Sequence, residues 1–415
     1  MKYCELNEKQ ALKLTEQYGS PLYVFHADEF IYNYKRLFNA FSVHYPKYNI
    51  GYSFKTNYTP EIIKIVKDLG GLAEVVSNME YKLAKKIGYT SKEIIYNGPA
   101  KGEGLFEHLI NGGVANIDNL DELDSVIKFA STINFNIRIA FRANLDIGQG
   151  FISRFGLDAY EDDRECELSI AFDKVSSIQN IKVVGLHCHV GRSRSIEAWE
   201  NRVRIMFKLI DRYFGDKIPE FIDFGSGMNS IMEPVLANQF GGHIPTYEEY
   251  AEIVAVAMKE KYGHLSHNKM PWLYTEPGTT VVSGYMSFLS TVLSIKDVKG
   301  KTYITFDSSG GNMGDICHLK NLPISIYQNC GGRRECKDAT FVGYTCLEHD
   351  HIYEGFNGEL AVGDVVQFRN IGSYSNVFKP PFILPNCAMV CLKDGQAKLI
   401  KNKETTEDIF LTYIF

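Results

Sequence analysis

An alternation constrains this chain more than any other feature. Short apolar runs that end in polar residues or glycine recur between segments long enough to be helices. They are YNIGYSF (48–54), LAEVV (72–76), EIIYNG (93–98), VANID (114–118), NIRIAFRAN (136–144), IKVVGLHCHV (181–190), FIDFG (221–225) and WLYTEP (272–277). The segments between them carry helix signals. In TPEIIKIVKDLG (59–70), Thr59 suits the cap and Pro60 the first turn. Ile62, Ile63, Val66 and Leu69 then share one face before Gly70 stops the helix. SNMEYKLAKKIG (77–88) likewise runs from capping residues to a glycine. Eight strands separated by helices predict an α/β fold, a (β/α)8 TIM barrel.

After about residue 280 the rhythm changes. GYMSFLSTVLSIKDV, KTYITFDSSG, LAVGDVVQFRN and CAMVCLKDGQAKLI read as strands joined by turns, with little helical periodicity. SPLYVFHADEF (20–30) is placed to lend them a strand. The expected organisation is an N-terminal segment, 1–30, contributing to a C-terminal mostly β domain, 281–415, with the barrel at 31–280. A length of 415 residues accommodates two such domains.

Composition excludes several classes of function. A net charge of -6 and a pI near 6.0 leave no basic footprint for nucleic acid. The N-terminus, MKYCELNEKQALKLTEQYG, carries charges from its second residue, and no run is apolar for long enough to span a bilayer. Nine cysteines without a CxxC pair suggest reduced thiols in a cytoplasm and argue against structural zinc.

Barrel enzymes place their chemistry at the C-terminal ends of the strands. The polar residues there are Lys55, Arg142, His189, the Gly225-Ser226-Gly227 turn and Glu276. Lys55 alone reads either as an amine that captures a carbonyl or as a surface lysine. The glycine turn reads as a phosphate cradle or simply a tight turn. GLHCHVGRSR (185–194) reads as a metal clip, because His187 and His189 fall on one side of a strand, or as the end of a buried strand.

In combination these motifs are more specific. YSFKTN, GLHCHVG, DFGSG, EPG, TCLEHD and GSY follow the order and spacing of the fold-type-III pyridoxal-phosphate decarboxylases, the group of diaminopimelate and ornithine decarboxylases. The resemblance extends through LYVFHADEF, AEVVSNMEY, NIDNLDEL and SRFGL, nearly the whole chain. It implies an alanine-racemase-like barrel that binds pyridoxal 5'-phosphate, with Lys55 as the lysine holding the cofactor. His189 would stack on the pyridine ring. Residues 225–227 would hold the phosphate, helped by Gly278 and Thr279 of the 276–279 turn and by Tyr374, which is also expected at the substrate. Glu276 would keep the ring nitrogen protonated, which favours decarboxylation over racemisation. Cys346 would cross a dimer interface to protonate the α-carbon, so two shared sites require a homodimer. No metal is needed, and His187 becomes a packed or hydrogen-bonded barrel residue.

Four departures from the family bear on the substrate. EPGTT puts Thr279 where diaminopimelate decarboxylases have an arginine, and Leu347 replaces the acidic residue after the cysteine. GGNMGDICHLKNLPISIY lacks the family's arginine. Arg192 occupies the serine position beside the cofactor phosphate, with Ser193 next. Arg192 reads as a cation recruited to the phosphate or to substrate carboxylates, or as a surface residue whose neighbour Ser193 takes the phosphate. Glu348 reads as a displaced substrate contact or a solvated loop residue. Loss of the ammonium contacts beside a gained cation points to an N-acylated ornithine, such as N-citrylornithine of siderophore biosynthesis. The alternatives are a diaminopimelate decarboxylase of lysine biosynthesis, a racemase, or a non-catalytic regulatory homologue.

Overall fold

The structure, a computed structural model, describes residues 3–150, 152–329 and 331–415. Helix Glu8–Tyr18 leads into strand β1 (Leu22–His26). The barrel strands follow as β2 (Tyr48–Ser53), β3 (Leu72–Val75), β4 (Ile94–Tyr96), β5 (Val114–Ile117) and β6 (Ile137–Leu145). A short β7 (Leu157–Ala159) flanks β6, and β8 (Ile181–His187), β9 (Phe221–Asp223) and β10 (Trp272–Thr275) complete the set.

Parallel pairing runs from β2 through β3, β4, β5, β6, β8 and β9 to β10, which pairs again with β2. Eight parallel strands therefore close into a barrel, and closure leaves the ring no free edge. Each of the eight apolar runs read from the sequence supplies one of these strands. Ile62, Ile63 and Val66 of helix Pro60–Asp68 are fully buried, as their spacing requires. Thr59 holds the cap position but does not cap. Its hydroxyl donates instead to Asn57 Oδ1, at 2.7 Å, and its amide to the same oxygen. The local turn made by Asn57 outcompetes the cap.

The chain folds into two compact units. One holds Tyr34–Asn229 and His243–Thr280, the barrel; the other holds the residues up to Asn33, Ser230–Gly242 and Val281–Phe415. In the second unit β1 is central, antiparallel to β11 (Met286–Val298) and parallel to β12 (Ala388–Lys393). All five residues of β1 are buried, so the early apolar run completes a sheet whose other members come 260 residues or more later. Ser230–Gly242 lies inside the barrel sequence yet belongs to this unit. Arg369, donating to both carboxylate oxygens of Glu233, ties it there.

Candidate active site

The barrel's register lines up the chemistry. Arg142 on β6 is level with His187 on β8, which is level with Asp223 on β9. On the facing arc Ser53 of β2 is level with Glu74 of β3. Each of these polar side chains lies at or near the C-terminal end of its strand, where the rigid scaffold ends and loops begin.

They surround a cavity of about 320 Å³ whose wall includes Lys55, Glu74, Asn97, Arg142, His187, His189, Arg192 and Glu276. Lys55 follows β2 in a single 3-10 turn, and its Nζ is 2.6 Å from Glu74 Oε2. Glu74 is fully buried; it also accepts from Ser53 Oγ at 2.6 Å and from Asn97 Nδ2 at 3.0 Å. Asn97 Nδ2 donates in addition to Glu276 Oε1 at 2.6 Å, linking the two carboxylates. The carboxylate oxygens are therefore satisfied by charge-assisted bonds, which makes their burial tolerable.

Glu276 also accepts from His187 Nε2 at 3.1 Å. His187, Asp223 and Glu276 are all buried, and one ligand atom from each lies within 4.8 Å of the others. Burial alone would raise Glu276, but His187, by charge and hydrogen bond, and then Lys55 hold it well below the usual carboxylate range. Asp223 goes the other way: burial, then the charge of Glu276, pushes it well up, so Asp223 carries the proton and Glu276 the charge. The two histidines of the 185–194 stretch thus take different partners. His187 bonds to Glu276, whereas His189 Nδ1 accepts the Ser226 amide at 3.2 Å. Cys188 between them is fully buried, and burial pushes its thiol up to about 12. Burial, reinforced by Lys55 and Arg142, holds His189 well below the usual imidazole range. His189 is therefore neutral at neutral pH, and the bond at Nδ1 leaves its proton on Nε2.

The glycine turn has reasons of its own. Gly225 has φ +60°, and a Cβ there would lie 2.4 Å from the Cys188 carbonyl oxygen. Gly227 has φ +105°, and a Cβ would lie 2.2 Å from the Val190 carbonyl oxygen. Only glycine tolerates that backbone and that approach. The Gly225 amide donates to Asp223 Oδ1 at 2.8 Å, so two of the turn's three amides serve barrel side chains. Gly278 packs as closely, with Thr56 Oγ1 2.0 Å from where its Cβ would be. Thr279, half-buried, opens the short helix Thr279–Val282. Ser193 is half-buried next to Arg192, which is exposed at the cavity wall.

The remaining expected residues belong to the other unit. Cys346, Leu347 and Glu348 are exposed and line a depression of about 480 Å³ with Tyr303, Thr345 and Asp350. Tyr374 sits at φ +54° with its ring against Phe378, centroids 5.3 Å apart. Glu74, Asn97, His187 and Asp223 were absent from the expected site. Glu74 had a signal, since it is the one acidic residue inside the apolar run LAEVV. Asn97 had only its place at a strand end.

Residues 32–283 match the family described as pyridoxal-dependent decarboxylase, pyridoxal binding domain. The chain is 26% identical over 417 residues to the diaminopimelate decarboxylase of Aquifex aeolicus, covering 96% of this chain and 92% of that protein. It is 24% identical over 441 residues to the L-glutamyl-[BtrI acyl-carrier protein] decarboxylase of Niallia circulans, covering 99% and 97%. Among solved structures, a diaminopimelate decarboxylase from M. jannaschii superposes with a TM-score of 0.84 at 23% identity, over 98% of this chain and 94% of that one. A lysine decarboxylase from Selenomonas ruminantium gives 0.73 at 19% identity, over 95% and 98%. These structural likenesses speak for the fold: a parallel eight-stranded barrel joined to a β-sheet unit.

Proposed function

We propose, from the premise that this chain belongs to the pyridoxal-dependent decarboxylases, that it removes the α-carboxylate of an N-acylated ornithine bearing extra carboxylates, such as N-citrylornithine. Membership makes it a carboxy-lyase that uses pyridoxal 5'-phosphate on an amino acid; the substrate has to be argued from the site. Relatives with two different named activities match at 26% and 24% identity, so overall similarity does not choose between them.

The residues fit the cofactor on two observations. The cavity carries an amine, a neutral imidazole and an ionised carboxylate on one wall system. Beside it, the Gly227 amide of the glycine turn donates to no acceptor among the described residues and is open to an anion. Once bound, pyridoxal phosphate supplies an electron sink for the pair left behind when CO2 departs. Lys55 would hold the aldehyde end, poised by Glu74. Glu276, kept charged by His187, would hold the proton on the ring nitrogen. Uncharged His189 would present its face to the ring without opposing that proton. Gly225–Gly227, Gly278 and Thr279, with Ser193 and Tyr374, would receive the phosphate.

The observation that carries the substrate reading is Arg192 on the cavity wall. The wall's other two cations are already met by carboxylates, Lys55 by Glu74 and Arg142 by Asp118, so Arg192 is the cation added where relatives carry a serine. A cation at the cavity wall suits a substrate carboxylate and opposes a free distal ammonium. Leu347 supports this, since an exposed leucine, rather than an acidic residue, directly follows Cys346. Cys346 of a second copy would deliver the proton to the α-carbon, which makes the working unit a homodimer with shared sites; Glu348 and Tyr374 would line the substrate's outer end. Arg192→Ala is expected to raise KM for N-citrylornithine by about tenfold or more, the worth of one charge-assisted hydrogen bond, while leaving kcat for a simple amino acid near the parent value. An unchanged KM would remove Arg192 from the substrate site.

A further inference from the structure

We infer that Arg202 is a positioning residue for the cofactor's phosphate, holding three peptide planes with their carbonyls away from the anion and the amides of two of them, Gly191 and Gly227, toward it; the inference rests on the pyridoxal-phosphate reading above. Arg202 lies in helix Ile196–Phe214 and is completely buried. Among the described residues its guanidinium meets no carboxylate. Nη1 donates to the Phe224 carbonyl at 3.1 Å and the Ser226 carbonyl at 2.7 Å, and Nη2 to the Val190 carbonyl at 3.0 Å. The Trp199 ring, 4.0 Å from the guanidinium carbon to centroid, covers one face. Burying such a cation is costly, and carbonyl dipoles and a ring face repay only part of the cost.

What the cation gains is orientation. In a trans peptide the carbonyl of one residue and the amide of the next point in opposite directions. Fixing the carbonyls of Val190, Phe224 and Ser226 on Arg202 therefore sends the amides of Gly191, Gly225 and Gly227 the opposite way. The Gly225 amide is taken by Asp223. Among the described residues, the amides of Gly191 and Gly227 donate to no protein acceptor. Gly191 lies on the cavity wall, and all three aimed amides belong to glycines. Two such donors, with a buried unneutralised cation behind them, form a receptor for a dianion. A second clamp steadies the same turn: Tyr250 Oη donates to the Arg194 carbonyl at 2.6 Å and accepts the Asn229 amide at 3.2 Å.

A role confined to packing would weaken every ligand of the barrel alike, whereas aiming the phosphate donors weakens only phosphorylated ones. The test is equilibrium binding of pyridoxal phosphate and of pyridoxal, which lacks the phosphate, to apo-protein followed by absorbance. It is made on the parent chain, Arg202→Lys and Arg202→Met, with thermal unfolding as a check on folding. Arg202→Lys keeps the charge but not the planar fork, and is expected to cut the preference for the phosphorylated form about tenfold, with pyridoxal binding nearly unchanged. Arg202→Met, where it folds, is expected to lose more of that preference. Parallel losses of both ligands, or no change in either, would overturn the inference. A parent chain without any preference for the phosphorylated form would overturn the phosphate cradle itself, and the clamp with it.

Discussion

Glu74 shows how a site of this kind is wired. Its carboxylate, fully buried, holds Lys55 at 2.6 Å, and Asn97 connects it to Glu276. Glu74→Gln keeps the shape and removes the charge, so Lys55 loses its ion partner. We expect kcat/KM to fall about 10- to 100-fold, the range for a hydrogen bond between charged groups, in a protein that still unfolds cooperatively; an unaltered rate would show that Lys55 needs no such partner. At this scale the sequence was only partly legible. Lys55, His189 and Glu276 announced themselves through motifs; Asn97 did not, and Asp223, although part of DFGSG, was given no role. Their roles depend on which strands are neighbours, and register is a property of the closed barrel rather than of any one segment. His26 offers a test of burial in the other unit. Burial, reinforced by Arg369, lowers its pKa to about 3, and Ser287 Oγ lies 2.8 Å from its Nε2. Unfolded, it titrates near its ordinary value, so the stability it contributes is complete above about pH 6.5 and falls with acidification toward pH 3. From about pH 7.5 to pH 5, urea unfolding should show the parent losing about 2 kcal/mol more than His26→Gln. Equal losses would contradict the neutral buried state.

Among the elements, the turn after β9 is the most tightly specified. Gly225→Ala must relieve a 2.4 Å approach to the Cys188 carbonyl as well as adopt a left-handed backbone. Gly19, also left-handed at φ +85°, has nothing within 4 Å of where its Cβ would be. Gly19→Ala should therefore cost about 1–3 kcal/mol of backbone strain alone, since its ψ of 168° puts it in a region that only glycine adopts readily. Gly225→Ala should cost more and release the cofactor, read as loss of visible absorbance at matched protein concentration. Equal stability of the two variants would contradict the close packing of the turn. The elements were the most legible level in the sequence. All eight barrel strands were found as apolar runs because each is buried within the closed barrel. Ser230–Gly242 was not assigned to the β unit, since its attachment rests on Arg369, far along the chain, meeting Glu233.

At the level of the whole molecule, the cavity and the cysteine loop fall in different units, and the proposed chemistry unites Lys55 of one copy with Cys346 of another. Lys55→Ala and Cys346→Ala chains, each inactive alone, should recover activity when unfolded together and refolded as a mixture. Half of the dimers would be mixed, each with one intact site, giving about a quarter of parental activity. No recovery would mean that each chain works alone. No helix among the described residues is long and apolar enough to cross a membrane. Substrate identity was the least legible property, because it rests on a few replaced side chains, Arg192, Thr279 and Leu347, rather than on any pattern. The most direct measurement is CO2 release from N-citrylornithine and from meso-diaminopimelate by the same holoenzyme, compared as kcat/KM. The account predicts a preference for N-citrylornithine of about a hundredfold or more, since Leu347 in place of an acidic residue weakens the hold on a distal ammonium. Turnover of diaminopimelate at equal or greater efficiency would contradict it.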